Sequence, residues 1–196
     1  MKLRFLLLVL AGLVLATVPA LAARPIWLGA DVGLSVPTGD YTNEASVGFL
    51  AGLTGTYMLN GSLGIGGDVR LLTPSVADDF EEAMAASAGS SVDASLHAIQ
   101  VTPHVQFVIP TGGKVRPYLQ GGLGLYNLGS KVKGGSLDTG HSETRFGFHV
   151  GVGARVLVTR AFAWSGELAY HSIRTRGDPT TLFTLAGGVH FGLGVL

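Results

Sequence analysis

Bulky apolar and small residues alternate along residues 145–158, and this alternation constrains the fold more than any other feature of the sequence. The odd positions are glycine at 147, 151 and 153, with Arg145, His149, Arg155 and Leu157 at the others. The even positions are apolar: Phe146, Phe148, Val150, Val152, Ala154, Val156 and Val158. A period of two places the two sets on opposite faces of a β-strand, whereas a helix repeats about every 3.6 residues. The segment is therefore predicted to be a two-faced strand.

The same alternation recurs seven more times and predicts eight strands. The predicted strands are residues 26–36, 47–59, 63–72, 98–109, 116–128, 145–158, 162–173 and 181–196. The connections 60–61, 110–113 and 159–161 are short, whereas 37–46, 73–97, 129–144 and 174–180 are longer and more polar. Short turns at one rim and long loops at the other are typical of membrane barrels. The predicted fold is all-β, an eight-stranded antiparallel up-and-down transmembrane β-barrel.

The second face of each strand decides between a membrane barrel and a soluble one. Charged residues make up only 13% of the chain, while glycine occupies 30 of its 196 positions. A soluble barrel of the lipocalin kind would need a hydrophilic outer surface, which glycine with scattered charges does not supply. In the narrow bore of an eight-stranded barrel, by contrast, glycine leaves room for long side chains. The apolar face is therefore expected to face lipid.

The first 22 residues indicate an export signal. Lys2 and Arg4 precede an apolar run over residues 5–18, and Ala20 and Ala22 frame a cleavage site of the small-residue type. The apolar run is too short for a transmembrane helix, which needs about 20 such residues. We expect residues 1–22 to be cleaved and residues 23–196 to form the barrel.

Three stretches carry a resemblance to a known family: GLSVPTGD at 33–40, VRPYLQGGLGLY at 115–126 and GELAYH at 166–171. Their order and spacing resemble the outer-membrane β-barrel domain family, the small OmpA- and OmpX-like eight-stranded barrels, over residues 24–196. The resemblance implies a bacterial outer-membrane protein with extracellular loops and with periplasmic turns and termini. It also implies outer-membrane lipids, lipopolysaccharide and the outer-membrane assembly machinery as partners of a monomeric barrel.

Charge and cysteine content exclude other classes. The chain has 13 Lys and Arg against 13 Asp and Glu and no basic stripe, so a nucleic-acid partner is not expected. Without cysteine there is neither a disulfide framework nor a thiolate zinc site. No cofactor is expected.

Polar residues on the glycine-rich faces are the candidate site. The predicted lumen network comprises Asp31, Asp68, Arg70, His104, His149, Arg155, Glu167 and His190. Charges in a narrow lumen are costly unless they are paired, so the first interpretation is a structural network that fills the bore. Arg155 and Glu167 are expected to pair across the turn at 159–161. The alternative is a selectivity constriction or a proton-sensitive gate. Because the inward histidines come from different strands without close spacing, no metal site is predicted.

Two further features bear on function. His171 and Ser172 suggest the histidine–serine pair of a lipid A-modifying enzyme, but adjacent strand residues point to opposite faces. Residues 77–93 hold five acidic residues without the spacing of a calcium loop, which indicates a surface loop. The first hypothesis is a non-enzymatic structural or surface-interacting barrel with a side-chain-filled lumen. The alternatives are a narrow small-solute channel and, after it, the lipid A-modifying enzyme.

Overall fold

The chain forms eight long strands in a computed structural model. The structure describes residues 25–39, 42, 45–76, 93–134, 137–175, 177 and 179–194. The strands are β1 (Ile26–Thr38), β2 (Ala45–Met58), β3 (Leu63–Val76), β4 (Asp93–Val108), β5 (Val115–Gly134), β6 (Leu137–Leu157), β7 (Phe162–Ile173) and β8 (Thr180–Leu193). No helix among these residues is long and apolar enough to cross a membrane.

Every strand pairs antiparallel with its neighbours in the sequence, and the first strand also pairs with the last. The β1–β8 ladder runs from Ile26 opposite Leu193 to Thr38 opposite Thr181 and closes the sheet on itself. The structure therefore confirms the predicted eight-stranded antiparallel barrel. The short connections 59–62, 109–114 and 158–161 lie at one end, together with Ile26 and Leu193. We call this end the turn rim and the opposite end the loop rim.

The two faces of each strand divide as the alternation predicts. Large apolar side chains point outward and are exposed, with Val32 at 68%, Phe49 at 72% and Leu53 at 63%. Toward the loop rim this apolar belt ends at outward polar residues, which we call the polar collar. Its members are Thr38, Asn127, Thr144, Ser172 and Thr181. The collar marks where the outer face stops being suited to lipid.

Four strands extend well beyond the positions predicted from the alternation. The β5–β6 ladder continues from Val115 opposite Val156 to Gly134 opposite Leu137, so the predicted loop at 129–144 is wrong. Likewise β3 continues to Val76 and β4 begins at Asp93, within the predicted loop 73–97. Beyond the collar neither face meets lipid, so polar residues are accepted on both faces and the alternation is lost. We call residues 128–134 and 137–143 the protruding hairpin.

Candidate functional site: the barrel lumen

The structure brings all eight predicted lumen residues together inside the barrel. None of them exposes more than 7% of its surface: Asp31, Asp68, Arg70, His104, His149, Arg155, Glu167 and His190. They come from β1, β3, β4, β6, β7 and β8, and glutamines and threonines fill the space between them. We call this set with its amide and hydroxyl partners the polar layer.

Arg70 is the central cation of the polar layer. Its Nη2 donates to Oε1 of Glu167 at 2.7 Å. The same nitrogen lies 3.7 Å from Asp31 Oδ2 and 3.9 Å from Asp68 Oδ1. One guanidinium from β3 therefore joins carboxylates of β1, β3 and β7 across the bore. Arginine suits this position because its planar fork offers five donors to surrounding carboxylates.

Asp68 is the second centre of the polar layer. His104 Nδ1 donates to Asp68 Oδ2 at 2.8 Å, and Gln120 Nε2 donates to the same oxygen at 3.1 Å. On its other side, His104 Nε2 lies 3.1 Å from Thr56 Oγ1. His149 Nε2 is 3.6 Å from Asp68 Oδ2. A buried carboxylate with several donors is held in one orientation, so this cluster fixes β2, β3, β4 and β5 against one another.

Arg155 does not pair with Glu167, so the predicted ion pair is wrong. Glu167 stands opposite Gly153 in the β6–β7 ladder, whereas Arg155 is two positions nearer the turn rim. Arg155 Nη2 instead donates to Gln106 Oε1 at 2.7 Å. Glu167 accepts from Arg70 and, at 3.1 Å, from the hydroxyl of Tyr118. The cation that neutralises Glu167 therefore reaches it across the bore rather than along the neighbouring strand.

Aromatic rings hold the guanidinium of Arg155. Its Cζ lies 5.6 Å from the ring centre of Trp27 and 5.2 Å from that of Tyr118. Trp27 therefore points into the lumen, while Trp164 lies on the outer face and is 56% exposed. Cation–π contacts of this kind strengthen when water is excluded. The arginine is thus fixed by packing rather than by a carboxylate.

Two apolar layers enclose the polar layer, and the sequence interpretation missed both. The layer toward the loop rim consists of Leu50, Leu72, Ala98, Tyr126, Ile173, Leu182 and Ala186. The layer toward the turn rim consists of Trp27, Met58, Val108, Tyr118 and Ala163. The sequence does indicate these layers wherever two large apolar residues are adjacent, as in Phe49-Leu50 and Leu71-Leu72. At those points the inward position also carries an apolar residue.

Glycines on the lumen face make room for the rings that fill it. A Cβ on Gly153 would lie 2.5 Å from the Tyr118 hydroxyl and 2.6 Å from the Gly166 carbonyl oxygen. A Cβ on Gly147 would lie 2.8 Å from a ring carbon of Tyr126. The expectation that glycine faces the long lumen side chains therefore holds at these positions.

The polar layer leaves little free volume. The space between Asp31, Arg70 and Glu167 measures about 10 Å³. A single water needs about 10–15 Å³ by the same kind of measure. Among the described residues, no group of three or more His, Asp or Glu side chains is placed to hold a metal ion.

His171 and Ser172 lie on opposite faces of β7. His171 is fully buried between the Tyr126 hydroxyl at 3.1 Å and Thr184 Oγ1 at 3.0 Å. Ser172 is half-buried in the polar collar. A serine on the outer wall cannot meet a histidine inside it, so these two residues do not form a nucleophile–base pair.

Two predicted features lie outside the described residues. They are the signal segment with Ala20 and Ala22, and the acidic part of the loop at 77–92.

A family model for the outer membrane protein beta-barrel domain matches residues 8–194. Neisserial surface protein A, NspA, is 20% identical and has a TM-score of 0.63 over 85% of this chain and 96% of its own. Ail, the attachment invasion locus protein of Yersinia pestis, is 15% identical and has a TM-score of 0.59 over 86% and 98%. A major outer membrane protein of Thermus thermophilus is 13% identical and has a TM-score of 0.60 over 85% and 99%. These structures share the fold. No curated protein sequence matches this chain at a significant level.

Proposed function

Because the chain belongs to the outer membrane protein beta-barrel domain family, we propose that it is a non-conducting barrel of the bacterial outer membrane with a structural or surface-interacting role. The observation that carries this proposal is the three-layer filling of the lumen. Ions would have to cross two apolar layers and a bonded network that contains Arg70, Asp68 and Glu167. An eight-stranded barrel is just wide enough for its own side chains.

The proposed orientation follows from the lengths of the connections. Short turns of outer-membrane barrels are periplasmic, so the turn rim faces the periplasm and the loop rim faces outward. Under this proposal residues 1–22 are an export signal cleaved after Ala22, and the assembly machinery of the outer membrane inserts residues 23–196 as a monomer. Outer-membrane lipids and lipopolysaccharide then contact the apolar belt and the polar collar.

The protruding hairpin supports a surface-interacting role. It places the exposed residues Lys131, His141 and Ser142 beyond the collar, where lipid does not cover them. One solved structure of Ail holds sucrose octasulfate, a heparin analogue, and so shows a small barrel with a polyanion bound. We propose that this hairpin is the contact surface of the present chain. A variant lacking residues 130–141 should adhere less to cell surfaces while keeping a folded barrel. Equal adherence of the two proteins would contradict the role.

The channel alternative has one observation in its favour. Several buried polar atoms of the lumen have no hydrogen-bond partner among the described residues, including Arg70 Nη1, Asp31 Oδ2 and His190 Nδ1. Such atoms are costly to bury dry, which favours some hydration of the polar layer. A continuous file of water would nevertheless have to pass Leu72, Tyr126 and Ile173 in the apolar layer toward the loop rim.

Single-channel recording in planar bilayers distinguishes the two functions. The parent protein should show no stable conductance, because its apolar layers exclude water. Tyr126→Ala combined with Arg155→Ala should open a leak, since the pair removes bulk from one apolar layer and a bonded cation near the other. Tyr170→Ala on the outer face is the matched control and should leave the barrel closed. A steady, well-resolved channel in the parent would favour the channel alternative.

A further inference from the structure

A small cavity opens at the turn rim, and Arg155 of the polar layer forms part of its wall. It has a volume of about 70 Å³, and its walls include Trp27, Asn60, Arg116, Tyr118 and Arg155. Arg116 is exposed, whereas Arg155 is 5% exposed. The cavity therefore has a buried cationic floor and a cationic edge that water reaches.

The two arginines stand directly opposite each other. Arg116 on β5 and Arg155 on β6 are cross-strand partners, and both point toward the lumen side of the wall. Like charges in this arrangement destabilise a sheet unless an opposite charge lies nearby. Among the described residues, neither guanidinium has a carboxylate within 4.0 Å, since the ion pairs of the lumen all involve Arg70 or histidine. Among the described residues, the two positive charges of this site therefore have no carboxylate in direct contact.

Arg155 also has an unused donor. Its Nη2 is bonded to Gln106, but its Nε is buried and has no hydrogen-bond partner. The rings of Trp27 and Tyr118 hold the guanidinium in place. A fixed guanidinium with a free N–H is prepared for an acceptor, because little side-chain freedom is lost when the bond forms.

We propose that this cavity binds a single oxyanion group, a phosphate or a carboxylate, between Arg116 and Arg155. By the measure used above for a single water, the volume of about 70 Å³ corresponds to about five to seven waters, which leaves room for a small oxyanion group but not for a large metabolite. Arginine pairs match the geometry of phosphate and carboxylate oxygens. The ligand enters from the aqueous side at the turn rim, so the site does not depend on whether the lumen conducts.

Tryptophan fluorescence tests the site directly, because Trp27 forms part of its wall. In a Trp164→Phe background Trp27 is the only tryptophan. We expect inorganic phosphate, titrated at constant ionic strength into protein refolded in a neutral detergent, to change this fluorescence saturably. Arg116→Gln should weaken the apparent affinity at least tenfold. Arg160→Gln removes the same charge from an exposed turn residue that does not line the cavity, and it should leave the affinity unchanged.

Titrations with other ligands and other micelles identify the source of the oxyanion. Saturable binding of phosphate or acetate in neutral detergent supports a soluble ligand, and broadening of the phosphate ³¹P resonance by the parent is a second measurement. A response only in micelles containing phosphatidylglycerol, and not in those containing phosphatidylcholine, supports a lipid headgroup. Because Arg116 is exposed, its variant should keep the heat-modifiable barrel on a gel. No response to phosphate, acetate or phosphatidylglycerol overturns the proposal, as does an equal response in Arg116→Gln.

Discussion

The outer face and the lumen face of the barrel wall both exclude water, but they do so with different chemistry. On β3, Leu71 points outward and is 44% exposed, whereas its neighbour Leu72 points inward and is 1% exposed. The outer residue is surrounded by lipid, which adapts to any apolar shape. The inner residue packs against fixed neighbours in the apolar layer. Substitutions on the outer face are therefore expected to be tolerated as long as the new residue is apolar. On the lumen face, a substitution is expected to be tolerated only if it also keeps the shape of the side chain and its bonding partners.

The largest expected effect is the loss of Arg70. Arg70→Ala should lower the free energy of unfolding by about 3–5 kcal/mol, because Glu167 and its neighbouring carboxylates lose their buried counter-charge. Urea unfolding of protein refolded into vesicles measures the change. Arg145→Ala is the control, since its pair with Glu143 lies partly exposed at the loop rim and should contribute far less to stability than the buried network. Equal effects of the two variants would contradict the difference between buried and rim charges.

Truncating Leu72 and Leu71 compares the two faces directly. Leu72→Ala should cost about 2–5 kcal/mol, since the packed lumen cannot fill the cavity that remains. Leu71→Ala should cost clearly less, because lipid moves into the space on the outer face. The same urea titration gives both values. The comparison fails if Leu71→Ala proves as destabilising as Leu72→Ala.

The outer face should tolerate a change in side-chain shape, as at Leu71, but it should not tolerate a charge. Val152 is outward and 52% exposed, so Val152→Arg should cost about 2–4 kcal/mol as a basic residue at mid-bilayer on a lipid face. Val152→Leu changes shape but not polarity, and it should leave stability nearly unchanged. Refolding yield into vesicles, followed by the gel shift between heated and unheated samples, measures both variants. Parent-like refolding of Val152→Arg would show that this face does not meet lipid.

The smallest expected effect is the difference in stability between alanine substitutions at two glycines, Gly153 and Gly121. Gly153→Ala should destabilise by about 1–3 kcal/mol, because its Cβ would collide with the Tyr118 hydroxyl and the Gly166 carbonyl oxygen. Gly121→Ala is the control, since its Cβ would meet its nearest neighbour at 3.9 Å. Thermal unfolding, followed by tryptophan fluorescence, should separate the pair. A Gly153→Ala barrel that melts with the parent would mean that Tyr118 moves aside freely.

The alternation of residues predicts the strands and the face on which each residue lies, but it does not predict which residues meet across the bore. Side-chain parity follows from a backbone period of two, so Asp31, Arg70 and Glu167 could all be placed in the lumen from sequence. Which side chains meet in the lumen depends on the tilt and stagger of the strands, and the alternation of residues carries no information on either. Arg70 and Glu167 are therefore bonded although 97 positions separate them in the sequence.

Layering along the bore was also beyond the sequence interpretation. Leu50, Leu72 and Leu182 are inward by parity, yet each stands beside an outward apolar residue and so resembles part of a wider apolar run. Only the assembled barrel shows that these residues lie at one depth and close the lumen together. The strand ends were missed for a related reason, because alternation requires lipid on one side and disappears beyond the polar collar.

The protruding hairpin carries the described part of the barrel wall well beyond the polar collar. Residues 128–134 of β5 rise at about 3.3 Å per residue, so the hairpin extends roughly 20 Å past the collar. A large particle would touch its tip before it could reach the barrel mouth. Among the described residues of the hairpin, Gly134 and Leu137 stand farthest from the collar, while Lys131, His141 and Ser142 lie between that end and the collar.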